Sequence, residues 1–243
     1  MKLVKDNCIC RYSGEHMNKE YLEVLENSSL FHRFGKKDID EIMNSLHYKI
    51  LLYGKGETVF RLMENADRIG IILEGYVQIQ KFFPNGSQIN VSAKGKGELI
   101  GSAAVFSKEQ RYPCDIIALE ETKIMIIHKT EMTKLMQKNN GILQNFIADI
   151  SSATYMLQQR LELLSYNGIA QKIAFYLLME YRKKKKEKIR VPESVSNWAM
   201  VMNVSRTSLH RELKKMNDEG IISYSSPSIA IIDSAKLMEM LNR

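Results

Sequence analysis

Between Val204 and Leu213 the chain reads VSRTSLHREL, with two arginines, a histidine, a threonine and two serines in ten residues. Guanidinium, imidazole and hydroxyl groups are the donors that meet base edges and phosphates in a duplex. Leu209, Leu213 and Met216 fall at i, i+4 and i+7, the spacing of a buried helix face. Arg206, Thr207, His210 and Arg211 are left for the opposite face. Ser205 suits the cap of that helix, because its oxygen can accept an orphan N–H, and Ser208 lies in its first turn.

Other reactive side chains do not gather into a recognisable centre. Cys8, Cys10 and Cys114 are three in number, which argues against a disulfide framework and fits a reducing compartment. An iron–sulfur cluster usually takes four thiolates, so none is expected. Cys8 and Cys10 are expected in a mobile N-terminal tail and Cys114 as a small buried apolar residue, with a thiol redox switch as the alternative. Cys8, Cys10 and His16 carry a faint metal signal, and no metal site is expected. Lys94–Glu98, KGKGE, lacks phosphate-loop spacing and is expected to be a turn. No nucleophile elbow, metalloprotease motif or dinucleotide fingerprint occurs, so no enzyme activity is expected.

The elements around VSRTSLHREL give it a context. Ser194 or Ser196 can cap a helix over SNWAMVM, and Asn203 suits a tight turn because it tolerates a left-handed backbone. Two short helices joined in this way make a helix-turn-helix. Gly220 ends the second helix. IISYSSPSIAIID then reads as a hairpin with Ser225–Ser228 at its tip, in the position of a wing. Upstream, Tyr48 to His128 is a series of short β-prone runs with turns between them, including the strong hairpin signal Pro84-Asn85-Gly86-Ser87. Such spacing predicts a small barrel or jelly roll. Residues 18–46 are predicted to be helical, and Thr130 is expected to cap a helix that breaks at Asn139-Asn140-Gly141.

A long helix to about Leu164 follows. Leu143, Ile150, Leu157 and Leu164 are spaced by sevens, with Phe146 and Ala153 as the intervening seam until Arg160 breaks it. A sustained heptad stripe asks for a partner helix, and a second copy of the chain is the favoured partner. The run YRKKKKEKIRVPES is either a solvated connection or a phosphate contact.

Charge agrees with this division. The net charge is +7; residues 168–243 hold 14 Lys/Arg against 8 Asp/Glu, and residues 1–167 hold 21 against 20. A near-neutral body carries a basic module, which points to an anionic partner: nucleic acid first, a membrane surface second. No apolar run has the length of a membrane span and no signal peptide is evident, so a cytoplasmic location without membrane association is expected.

From about Tyr48 to Leu241 the ordered set KGETVF, ILEG, NG in a hairpin, KGELIG, ALEETKIMII and VSRTSLHREL resembles the cyclic-AMP receptor protein/fumarate-nitrate regulator (CRP/FNR) family of bacterial transcription factors. The resemblance implies an α+β chain. Residues 1–138 would be N-terminal helices and a β-roll sensor, residues 139–165 a dimerisation helix, and residues 166–243 a winged helix-turn-helix. It implies a homodimer on a pseudo-palindromic double-stranded operator, working with RNA polymerase if it activates. Ser205, Arg206, Thr207, Ser208, His210 and Arg211 would be the reading segment, with Arg211 on a base, a guanine. Thr207 stands where many members carry Glu, so their operator does not transfer.

By the same resemblance, a cyclic-nucleotide phosphate would be held near Gly101, Ser102 and Ala103 and by an arginine about ten residues later. Ser102 replaces the ribose-binding glutamate, and Tyr112-Pro113 replaces the arginine pair, with Arg111 one place early. On the long helix, Leu157-Gln158 replaces the polar pair that meets the base. Cyclic AMP is therefore not expected. Another small-molecule effector would be lined by Gly101, Ser102, Ala103, Arg111, Tyr112, Thr154, Leu157 and Gln158, and a haem ligand among the histidines stays open. The alternative function is a small-molecule sensor that acts through a protein partner without binding DNA.

Overall fold

The computed structural model describes residues 8–12, 17–82, 88–184, 188–190, 194–225 and 228–242. The chain divides into two compact units, residues 1–152 and 153–243.

In the first unit, β1 (Cys8–Tyr12) precedes two helices, α1 (Lys19–Glu26) and α2 (Lys36–Asn44). Asn18 caps α1, its side chain accepting from the Glu20 N–H. The strands follow: β2 (Tyr48–Tyr53), β3 (Thr58–Phe60), β4 (Arg68–Glu74), β5 (Val77–Phe82), β6 (Gln88–Lys94) and β7 (Leu99–Ile100). After the short helix α3 (Ser102–Val105) come β8 (Asp115–Ala118), β9 (Thr122–His128) and α4 (Lys129–Lys138). One sheet has the order β1-β2-β9-β4-β7 and the other β3-β8-β5-β6, and every pairing is antiparallel. Ile50, Ile69, Ile71 and Ile124 of the first sheet share one core with Phe60, Val77 and Ile116 of the second.

β4 is buried at every residue from Ile69 to Leu73. This accounts for its unbroken apolar run, which a half-exposed strand would interrupt with polar residues. Gly70 sits there because a Cβ would fall 2.8 Å from both Ile100 Cγ1 and Ile124 Cγ2. The run DIIALEETKIMIIH proves to be two strands in different sheets, turning at Glu120-Glu121. The hairpin signal at Pro84–Ser87 lies outside the described residues, but its flanks pair in register, Phe82 opposite Gln88. After Lys94 ends β6, the chain turns at Lys96-Gly97 as expected, with Gly97 at φ +84°.

Two expectations about this unit are corrected. Residues 8–12 are not a free tail: they form a strand paired with β2, Tyr12 opposite Tyr48. The cap of α4 is His128 rather than Thr130. Its ring nitrogen accepts from the Thr130 N–H, and the Thr130 hydroxyl lies 3.0 Å from the same atom.

The long helix α5 (Asn140–Ser165) crosses from one unit to the other. Phe146 is buried in the core of the first unit, edge-on to Phe106 at 5.3 Å, so it does not belong to an intermolecular seam. Ile147 beside it is 54% exposed. Leu143, Ile147, Ile150, Thr154, Leu157, Leu161 and Leu164 then follow one another at alternating steps of four and three, the a/d spacing of a coiled coil. Leu157 and Leu161 are exposed by 57% and 69%. Ile147 and Leu161 thus complete an a/d stripe along α5, and Ala153, also exposed, lies beside it.

The second unit continues with α6 (Ile169–Lys184), β10 (Lys188–Arg190), α7 (Val195–Val201), α8 (Arg206–Asp218), β11 (Ile222–Ser225), β12 (Ser228–Ile231) and α9 (Ser234–Leu241). Its sheet has the order β10-β12-β11. The lysine-rich connection thus contains a strand, with Lys188 opposite Ala230. Ile173 and Leu177 of α6, Trp198, Leu209, Leu213, Met216, Ile222, Ile229 and Leu237 form the core. Trp198 is fully buried against Tyr176, ring centroids 5.1 Å apart, and its indole N–H has no partner among the described residues. Trp198→Ala should cost about 3–5 kcal/mol through the cavity it leaves. Trp198→Phe should cost clearly less, because it also removes the orphan donor. Trp198 is the only tryptophan, so melting followed by circular dichroism is the appropriate measurement.

Candidate nucleic-acid interface

The second unit builds one exposed polar face on α8. The Ser194 hydroxyl caps α7 by accepting from the Asn197 N–H at 3.1 Å. At the other end of α7, the Met202 carbonyl accepts from the Lys172 ammonium at 3.0 Å. Lys172 is only 8% exposed, so a buried charge on α6 pins the start of the turn. Asn203 then takes φ +53°, a left-handed conformation that asparagine tolerates, and the Val204 N–H returns to the Ala199 carbonyl. The Ser205 hydroxyl caps α8, accepting from the Ser208 N–H at 3.0 Å.

Leu209, Leu213 and Met216 are fully buried, while Arg206, Thr207, His210 and Arg211 are exposed. Ser205 is exposed and Ser208 half-buried. The first turn of α8 has no acid and contains Arg206. A cation at the positive end of a helix dipole opposes the helix and attracts an anion. Gly220 adopts φ +67° after the helix, and the Asn217 side chain accepts from the Tyr224 N–H at 2.9 Å, fastening α8 to the hairpin. In the hairpin Ser225 lies opposite Ser228, and its tip, Ser226-Pro227, lies outside the described residues.

In the first unit, Gly101 precedes α3 with φ +78°. A Cβ there would lie 3.0 Å from Phe60 Cε2 and 3.1 Å from Tyr112 Cε1. Tyr112 is 1% exposed, stacks on Phe60 with centroids 4.5 Å apart, and donates its hydroxyl to the Arg68 carbonyl. Burial pushes its phenol up to about 12, so it stays a donor at ordinary pH. The Arg68 guanidinium lies 5.8 Å from the Phe60 ring centroid and bonds Glu64 at 2.6 Å. Arg111 is exposed and donates to the Met63 carbonyl at 2.8 Å, on the loop that its own backbone also bridges at Asn65.

Two family profiles match the two units. The profile described as cyclic nucleotide-binding domain matches residues 50–139, and the one described as Crp-like helix-turn-helix domain matches residues 171–240. The chain belongs to the CRP/FNR family. A cyclic AMP receptor protein from Thermus thermophilus is 19% identical over 216 residues, which are 89% of this chain and 98% of that protein. An anaerobic regulatory protein from Bacillus subtilis is 23% identical over 193 residues, 76% of this chain and 80% of that one. The crystal structure of the Thermus thermophilus catabolite activator protein aligns with a TM-score of 0.52 at 20% identity, covering 88% of this chain and 99% of that one, and so shares the fold. The CRP/FNR homologues are transcription regulators and not enzymes, and this chain is classed with them.

Within the CRP/FNR frame, Gly101, Ser102, Ala103, Arg111 and Tyr112 lie in the first unit, and Gly101 and Tyr112 are brought together around Phe60. Thr154, Leu157 and Gln158 lie on the half of α5 that belongs to the second unit, all exposed. Phe60 and Arg68 were not singled out by sequence reasoning. They are 52 and 44 positions from Tyr112, and nothing local marks an aromatic pair between strand β3 and the loop before β8. Cys114 is half-buried, and burial pushes its thiol up, away from the reactive thiolate. Among the described residues no three His, Cys, Asp or Glu side chains converge as metal ligands. Nor is any helix among them long and apolar enough to cross a membrane.

Proposed function

We propose that the chain is a homodimeric, sequence-specific regulator that inserts α8 into the major groove of double-stranded DNA. The observation that carries this reading is the exposure of Arg206, Thr207, His210 and Arg211 above the buried Leu209, Leu213 and Met216. Those four side chains are exposed towards a groove that α8 could enter, while the apolar face holds the helix on its unit. The a/d seam of α5 supports pairing with a second copy. Two α8 helices about 34 Å apart would fit half-sites one helical turn apart on a pseudo-palindromic operator. RNA polymerase is the further partner if the protein activates.

An effector acting on the first unit would shift the population between two arrangements of the reading helices. It would be a small molecule or a redox signal other than cyclic AMP. Support for leaving cyclic AMP out comes from Tyr112, which fills the interior where a phosphate-binding arginine is expected, and from Arg111, which is engaged with the Met63 carbonyl.

A salt titration tests the DNA reading. Binding to a duplex from the protein's own promoter region should weaken roughly a thousandfold or more between about 50 and 200 mM salt, as phosphate contacts release counterions. A flat salt response would contradict it.

A further inference from the structure

Four exposed side chains share the reading face of α8, and three of them, Arg206, His210 and Arg211, end in N–H groups. Thr207 is different, because its hydroxyl is already engaged. The Ser205 oxygen accepts from the Ser208 N–H at 3.0 Å, lies 2.8 Å from the Ser208 hydroxyl, and lies 2.9 Å from Thr207 Oγ1. Within a helix a threonine divides between two χ1 rotamers, and this contact selects one. With Oγ1 turned back towards the cap, the methyl group is the part of Thr207 left to face outward.

We infer that Thr207 is a specificity-determining residue that reads a thymine through methyl–methyl contact. The inference rests on the proposed insertion of α8 into the major groove. Of the four bases, thymine alone places a methyl group in that groove, and a threonine methyl is a suitable apolar partner for it. Thr207 and Arg211 are four residues apart on the same helix face, a rise of about 6 Å. At about 3.4 Å per base pair, the thymine would lie within roughly two steps of the base read by Arg211. Each half-site would therefore hold a thymine whose methyl group is read, close to the Arg211 contact.

The test begins with selection of bound duplexes from a random pool by the full-length wild-type chain. Each thymine of the selected half-site is then replaced in turn by deoxyuridine, which keeps base pairing and removes only the methyl group. One replacement close to the Arg211 contact should weaken wild-type binding roughly three- to fivefold, the effect of one lost methyl contact. Thr207→Val, which keeps a methyl group, should retain that sensitivity. Thr207→Ser should bind thymine and uracil duplexes equally. Uniform tolerance of uracil by the wild type would overturn the inference, and so would a Thr207→Ser variant with undiminished uracil sensitivity. In both of those cases sequence-specific binding would still stand. Failure of the wild type to select any sequence would instead overturn the proposed function, and this inference with it.

Discussion

Arg211→Ala should weaken operator binding roughly thirtyfold or more while the protein stays folded. Arg211 is exposed on the middle of α8, and the apolar face beneath it is supplied by other residues. A bidentate arginine–guanine contact contributes about 1–3 kcal/mol of discrimination. A homodimer loses it at both half-sites, so the combined effect is about 2–6 kcal/mol. A surface substitution of this kind usually changes stability by less than about 0.5 kcal/mol. The informative measurement is the ratio of affinities for the selected operator and a scrambled duplex at one fixed salt concentration. That ratio should collapse in Arg211→Ala. Lys214→Ala, at an exposed position further along the same helix, should leave it nearly unchanged. If Arg211→Ala kept the wild-type ratio, α8 would not be reading bases through this residue.

Replacing Leu157 and Leu161 together with glutamate should convert a dimer into a monomer. Both side chains are more than half exposed in the single chain, at 57% and 69%, so their loss costs the individual fold little. In a paired helix they would be buried, at about 1.5–3 kcal/mol for each side chain. Two copies bring four such leucines to the seam, and glutamates facing one another would add repulsion. Sedimentation velocity should report the change of mass, and operator binding should fall as the second half-site is lost. A wild-type chain that sediments as a monomer at micromolar concentration would remove the basis for this expectation.

The same helix marks the boundary of what a pattern can convey. The recurrence of Leu143, Ile150, Leu157 and Leu164 by sevens is visible without coordinates, and so is the need for a partner. The companion row is not. Phe146 and Ile147 are adjacent, equally apolar, and point about 100° apart around the axis. Which of them turns towards its own unit depends on Phe106, which packs against Phe146 from 40 positions away. The N-terminal strand was hidden for a similar reason. CICRY has no alternation strong enough to announce a strand, and it pairs because β2 offers it a sheet edge. Likewise Lys188–Arg190 sits in a run dominated by lysine, and only the hairpin at β12 supplies its partner.

Local chemistry alone determined the turn and helix around VSRTSLHREL. Asn203 for the left-handed turn, Ser205 for the cap, three apolar residues at helical spacing and a glycine after the helix each act within a few residues of themselves. All four behave in the fold as their types require. The order of roll, long helix and winged helix was likewise written in turn residues and periodicity. Tertiary structure alone decided the contacts between residues distant in sequence. These are the Tyr112–Phe60 stack behind Gly101, the Lys172 ammonium under the Met202 carbonyl, and the burial of Phe146 beside an exposed Ile147. Such contacts depend on which surfaces the chain brings together, and no spacing along the chain encodes that.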